Sequence, residues 1–148
     1  MKWVTRHKIR VNRSATCWLV RRFLDSEAEF LFIPAEDVAK TQVAVGATGF
    51  DAPGATYPHR DSRGRCSFAA LVHERIPHDL VLMEMARIVQ AADFSDKVDE
   101  HPAARGLRLI SRGFPLVTKD DLETAERAAF VYDALYASIA ESQGLMVQ

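Results

Sequence analysis

Between Phe50 and Phe68 the chain sets a carboxylate, Asp51, an imidazole, His59, and a thiol, Cys66, eight and seven residues apart. Oxygen, nitrogen and sulfur donors carried on one irregular stretch are what a divalent metal ion such as zinc accepts. The spacing permits that convergence without demanding it, because no Cys-x-x-Cys pair accompanies it. Asp51 can equally serve the turn before Pro53-Gly54, His59 a backbone partner, and Cys66 the core. Cys66 carries a second candidate role. Near a helix start and between Arg63 and Arg65 its thiolate form is expected to be favoured, which makes it a candidate nucleophile or redox group with His59 as base.

Two further sets of residues bear on this centre. Arg13, Arg21 and Arg22 offer planar guanidinium forks, which suit a small oxyanion better than a nucleic acid. Asp25, three and four residues beyond Arg22 and Arg21, can instead pair with them on the surface. Asp93, Asp96 and Asp99 recur every three residues. They read either as a solvated acidic turn or as further oxygen ligands, and Asp93 is the member added to the candidate metal set.

The elements that must position these groups can be read from pattern. Lys2 to Val11 is expected to contain a strand. A helix capped by Asn12 or Ser14 follows to about Leu24, and Glu29–Ile33, closed by Pro34, reads as a buried strand. Ala35 to Val45 can form a short helix. The glycine- and proline-broken stretch from Phe50 is expected to be a loop spent on function and not on packing. Beyond it, helices are predicted from Ser67 to His73, from His78 to Ala92 and from Ala103 to Ile110. The last begins at Asp120 or Asp121, where Leu122, Ala125, Ala129, Tyr132, Tyr136 and Ile139 recur at helical spacing. The fold class is α+β, predominantly helical, with a small sheet built from the amino-terminal half. One domain over residues 1–148 is expected, since no linker or repeat interrupts the pattern.

Composition excludes several classes. With 48% hydrophobic and 26% charged residues the chain is neither disordered nor membrane-spanning. The cytoplasm is the expected address, as Met1 to Lys8 lacks the apolar stretch of a secretory signal. The formal charge of −1 conceals a basic start, in which seven Lys and Arg residues precede Asp25. Without zinc-finger spacing or a basic isoelectric point, nucleic-acid binding by this chain alone is not expected.

Spaced blocks over nearly the whole chain carry a resemblance. Trp3-Val4-Thr5-Arg6, the run from Arg13 to Asp25, and Ala28-Glu29-Phe30-Leu31-Phe32 are followed in order by Phe50-Asp51-Ala52-Pro53-Gly54, His59 and Cys66-Ser67-Phe68. Ala86-Arg87-Ile88-Val89 with Ala92-Asp93, and Tyr132-Asp133-Ala134-Leu135-Tyr136, complete the series. Together they resemble the carboxy-terminal domain of the chromate-resistance ChrB family. In that family the domain often follows an amino-terminal regulatory region and is associated with sensing chromate or limiting its accumulation. As the sequence opens on the domain itself, transcriptional control by this chain alone is not expected. The resemblance implies binding of a small oxyanion such as chromate, of a divalent metal ion, or of both. A thiol- or metal-dependent redox enzyme is the rival reading, although no dinucleotide fingerprint or iron–sulfur cysteine set supplies electrons. A third is a sensory module that dimerises through its long final helix.

Overall fold

The structure is a computed structural model that describes residues 1–144. Its sheet has three strands in the order β2-β1-β3, with β1 at Lys2–Arg6, β2 at Glu29–Ile33 and β3 at Thr48–Gly49. Both pairings are parallel, with Trp3 opposite Phe30 on one side and Thr48 on the other. Parallel neighbours need a crossover, and the chain provides two: helix α1 (Val11–Leu19) joins β1 to β2, and α2 (Val38–Val45) joins β2 to β3. The two-residue strand β3 has no apolar run in the sequence to announce it.

Trp3, Val4 and Thr5 are all buried, as expected of a central strand covered on both faces. Their alternation divides the interior. Trp3 enters the main core with Trp18, Phe50, Phe68 and Tyr132. Val4 points the other way, into a smaller cluster with Val38, Ala52 and Ala55 beneath α2. Each fully buried large apolar side chain contributes about 1.5–3 kcal/mol, so the two clusters hold the sheet between its layers.

The helical half follows the predicted order. α3 spans Ser67–Arg75, α4 Leu80–Asp93, α5 Ala104–Arg112, the short α6 Phe114–Val117 and α7 Asp121–Ser142. Leu82, Met85, Ile88, Val89 and Ala92 form the buried face of α4, as its spacing predicts. α7 starts from an Asp120 side chain that accepts the Glu123 N–H. Along it Ala125, Tyr132 and Ile139 are buried but Leu122, in the first turn, is exposed. α1 is the hub, packing against α3, α4, α5 and α7.

Two local expectations are corrected. Asn12 and Ser14 do not cap α1, which starts at Val11 without a side-chain cap. Instead Asn12 Oδ1 accepts the Phe68 N–H and Asn12 Nδ2–H donates to Ser67 Oγ, so Asn12 caps α3 across the core. The Phe50–Phe68 stretch is irregular yet packed, with Phe50, Ala52, Tyr57 and Cys66 buried. Its order comes from Gln42 on α2, whose Oε1 accepts the Thr56 N–H at 2.9 Å and whose Nε2–H donates to the Gly54 carbonyl. Gly54 has φ +74, and a Cβ there would sit 2.8 Å from that of Ala39, so only glycine lets the loop lie on α2.

Candidate metal centre

The carboxyl ends of the parallel strands β1 and β3 lie side by side, the edge at which open sheets of parallel strands usually bind ligands. β1 ends at Arg6, and β3 runs straight into Phe50 and Asp51. Thr5 Oγ1 donates to the Phe50 carbonyl at 2.5 Å, and Arg6 Nε–H donates to the Asp51 carbonyl at 2.7 Å. Asp51 itself adopts φ +52, in the left-handed region. That conformation costs on the order of 1 kcal/mol in a residue with a Cβ and persists where neighbours over-determine it. Here the Asp51 N–H is bonded to the Tyr57 carbonyl at 2.7 Å and both ends of the residue are held.

The Asp51 carboxylate is almost wholly buried, with three partners. His59 Nδ1–H donates to Oδ1 at 2.7 Å, Arg6 Nη2 lies 3.2 Å from the same oxygen, and Arg13 Nε lies 3.3 Å from Oδ2. Burial pushes its pKa up, but the His59 hydrogen bond and the Arg6 and Arg13 charges outweigh burial and hold it below the usual carboxylate value. Arg13 is fixed in turn: its guanidinium donates to the carbonyls of Arg6, His7 and Lys8 in the turn after β1. Desolvation lowers the Arg13 pKa, and the adjacent Asp51 charge works against that lowering.

Asp93, the last residue of α4, brings the second carboxylate. Its Oδ2 lies 3.8 Å from His59 Nδ1, is shielded from solvent and takes no hydrogen bond from the described residues. Burial, with the Asp51 charge as the next contribution, pushes Asp93 up to about 6. His59 is half-exposed, with its ring edge-on to Phe94 at 5.3 Å between centroids. The Asp51 hydrogen bond raises its pKa. One ligand atom each from Asp51, His59 and Asp93 lies within 4.8 Å of the others, an oxygen–nitrogen–oxygen set of the size a divalent ion needs.

Of the residues singled out from sequence, Asp51, His59, Asp93 and Arg13 therefore share one site. Cys66 stands apart from the ligand cluster. It is buried at the amino end of α3 among core residues. Desolvation raises its thiol, with the Asp93 and Asp51 charges adding to the effect, so the expected low-pKa thiolate is corrected: Arg63 and Arg65 do not offset burial. Cys17 is buried and raised in the same way.

Arg21 and Arg22 are corrected too. They lie in a π-helical turn, Val20–Leu24, at the far end of the sheet from Asp51. Arg21 donates to the Ala28 carbonyl and covers the Phe30 ring at 4.8 Å, while Arg22 pairs with Asp133 at 3.3 Å. Asp25 pairs with the amino terminus instead of with either arginine. The acidic tract divides as well: Asp96 pairs with Arg60 and Asp99 with Arg105, leaving only Asp93 turned into the site. Arg6 was not singled out, although its place as the last residue of a strand beside Asp51 makes it part of the centre.

Comparison with known proteins gives a consistent result. Residues 3–139 match the family described as ChrB, C-terminal domain. The chain is 32% identical over 138 residues to a protein of Cupriavidus metallidurans named Protein ChrB; the alignment covers 91% of this chain. It spans 40% of the length of that relative. No solved structure matches the chain.

Proposed function

Because this chain belongs to the ChrB C-terminal domain family, we propose that it is a chromate-resistance-type domain whose working element is a divalent-metal site on Asp51, His59 and Asp93. The observation that carries the reading is the Asp93 carboxylate: solvent-shielded, beside a second carboxylate, and with Oδ2 lacking a donor among the described residues. A buried carboxylate oxygen without a partner is costly, and a cation or a proton relieves that cost. An oxyanion placed directly on this oxygen would worsen it. The metal is therefore the primary ligand.

His59 Nδ1 faces both carboxylates, so a metal bound there replaces the proton now given to Asp51. Two oxygens and one imidazole suit zinc, manganese, iron or nickel better than soft copper(I). Three protein ligands leave coordination positions open. An oxyanion, the ligand the family resemblance implies, would meet such an open position together with Arg6, whose side chain remains one-third exposed. The rival thiol chemistry has no comparable support, since the Cys66 sulfur is buried and its thiolate disfavoured.

The test is titration calorimetry of protein purified without a metal-affinity tag, using zinc and manganese ions in turn. One equivalent is expected to bind, with at least a 100-fold loss of affinity in His59→Ala and Asp93→Ala. No uptake, or uptake untouched by both substitutions, overturns the metal reading. Chromate or sulfate titrated into loaded and metal-free protein tests the second step. Binding to the loaded form alone is expected, and equal binding to both removes the metal from oxyanion recognition.

A further inference from the structure

The loop that carries His59 has few ties to the rest of the molecule. Tyr57 is bonded through its backbone to Gly49 and Asp51, and the Cys66 N–H donates to Gln90 Oε1. Between them, the bonds of Asp61 with Arg63, Gly64 and Arg65 close the loop on itself. Among the described residues, only His59 and Arg60 make hydrogen bonds outward from residues 58–65. His59 reaches the Asp51 carboxylate. Arg60 reaches the residues that follow Asp93: its guanidinium lies over the Phe94 ring at 3.9 Å, and its Nη2–H donates to Asp96 Oδ1 at 2.9 Å.

Two adjacent loop residues therefore meet two adjacent residues at the end of α4. His59 faces Asp93, and Arg60 covers Phe94, against whose ring the imidazole also packs. The α4 side of this seam is fixed independently, because Arg108 Nη1–H donates to the carbonyls of Ala92 and Asp93 at 2.9 and 3.2 Å. On the metal reading proposed above, an ion on His59 Nδ1 replaces the proton given to Asp51. The loop then keeps one outward hydrogen bond of its own, that of Arg60. A ligand already held in place loses less conformational freedom on binding, so a tether on the free loop raises affinity. We propose that Arg60 is a positioning residue for the metal site: by clasping Phe94 and Asp96 it holds His59 against Asp93 and sets the affinity for the divalent ion.

The experiment measures zinc affinity by titration calorimetry and loop order by hydrogen exchange of the metal-free full chain. Arg60→Ala is expected to weaken zinc binding about tenfold, which is what losing one exposed cation–π contact and one exposed ion pair amounts to. Removing a positive charge beside a cation site would by itself tighten binding, so the direction separates positioning from charge. Exchange over residues 58–65 should quicken, while the thermal midpoint stays within about 2 °C of the wild type. Arg60→Lys, which keeps the charge opposite Asp96, should recover about threefold in affinity. Asp96→Ala should cost nothing further in the Arg60→Ala background. Wild-type zinc affinity in Arg60→Ala, no recovery in Arg60→Lys, or a further loss with Asp96→Ala overturns the clasp and leaves the metal reading standing. No zinc uptake by the wild type overturns the metal reading and, with it, the part of Arg60 in affinity; unchanged exchange over residues 58–65 in Arg60→Ala removes the clasp itself.

Discussion

Asp93 Oδ2 stands 3.8 Å from His59 Nδ1, and no hydrogen-bond donor among the described residues reaches it. The two groups come from different parts of the chain, one from the end of α4 and one from the loop after β3. Their juxtaposition carries an energetic cost that a cation or a proton relieves, and the consequences can be measured.

The first is pH dependence. Asp93 is pushed up to about 6 by burial and then by Asp51, against about 4 in the unfolded chain. A carboxyl raised on folding holds its proton more tightly in the native state, so its contribution to stability falls as pH rises from about 4 to beyond 6. His59 is raised by its bond to Asp51; it adds stability that is fully present below about 6.5 and lost as pH climbs through its folded value. Metal-free protein is therefore expected to melt at lower temperature at about pH 8 than at about pH 5. Asp93→Asn should flatten that slope and raise the midpoint at about pH 8 by about 2–6 °C. Thermal melts across pH decide it; a lower midpoint with the slope intact refutes the assignment.

Metal should reverse the penalty. A ligand at one hundred times its dissociation constant stabilises by about 2.7 kcal/mol, which corresponds to about 5–10 °C in a chain of this size. Scanning calorimetry with added zinc or manganese and then with chelator is expected to show a rise that the chelator abolishes. In Asp93→Asn the metal-dependent rise should vanish while the metal-free midpoint stays high. A variant that still gains the full shift would place the ion elsewhere.

Cys66 is expected to be dispensable for the site. Cys66→Ala removes a buried sulfur and should cost about 1–2 kcal/mol of stability, yet leave metal stoichiometry and affinity unchanged. The native thiol should resist a disulfide reagent until the protein is unfolded. Loss of metal in Cys66→Ala, checked by elemental analysis, would restore the sulfur to the ligand set.

Asn12 bridges α1 and the start of α3 through both ends of its amide. Asn12→Ala leaves the Phe68 N–H and the Ser67 hydroxyl without these bonds and should destabilise by about 1–3 kcal/mol. Urea unfolding is the measurement. A cost below about 0.5 kcal/mol would mean that the cross-core cap is replaced at no loss.

Hydrophobic period was enough to write down α4 and α7, because the side chains that recur every three or four residues have one core to face and little choice of which side to bury. Glu29–Ile33 was legible as a strand for a similar reason: four consecutive apolar residues, Phe30 to Ile33, closed by proline have few other uses, although as an edge strand they are half-buried and not buried. Asp51, His59 and Asp93 were legible as residue types able to bind metal. Their selection was not. Periodicity says nothing about which loop residue meets the end of a helix more than thirty positions away, so Cys66 and Asp93 looked alike as donors. Packing decided between them, sending the thiol among core residues at the head of α3 and leaving the carboxylate at the last turn of α4, facing the imidazole. The same holds for the arginines. Arg13 and Arg21 lie two turns apart on one continuous helical segment, and only the direction of the parallel sheet puts the first beside Asp51 and the second at the opposite edge.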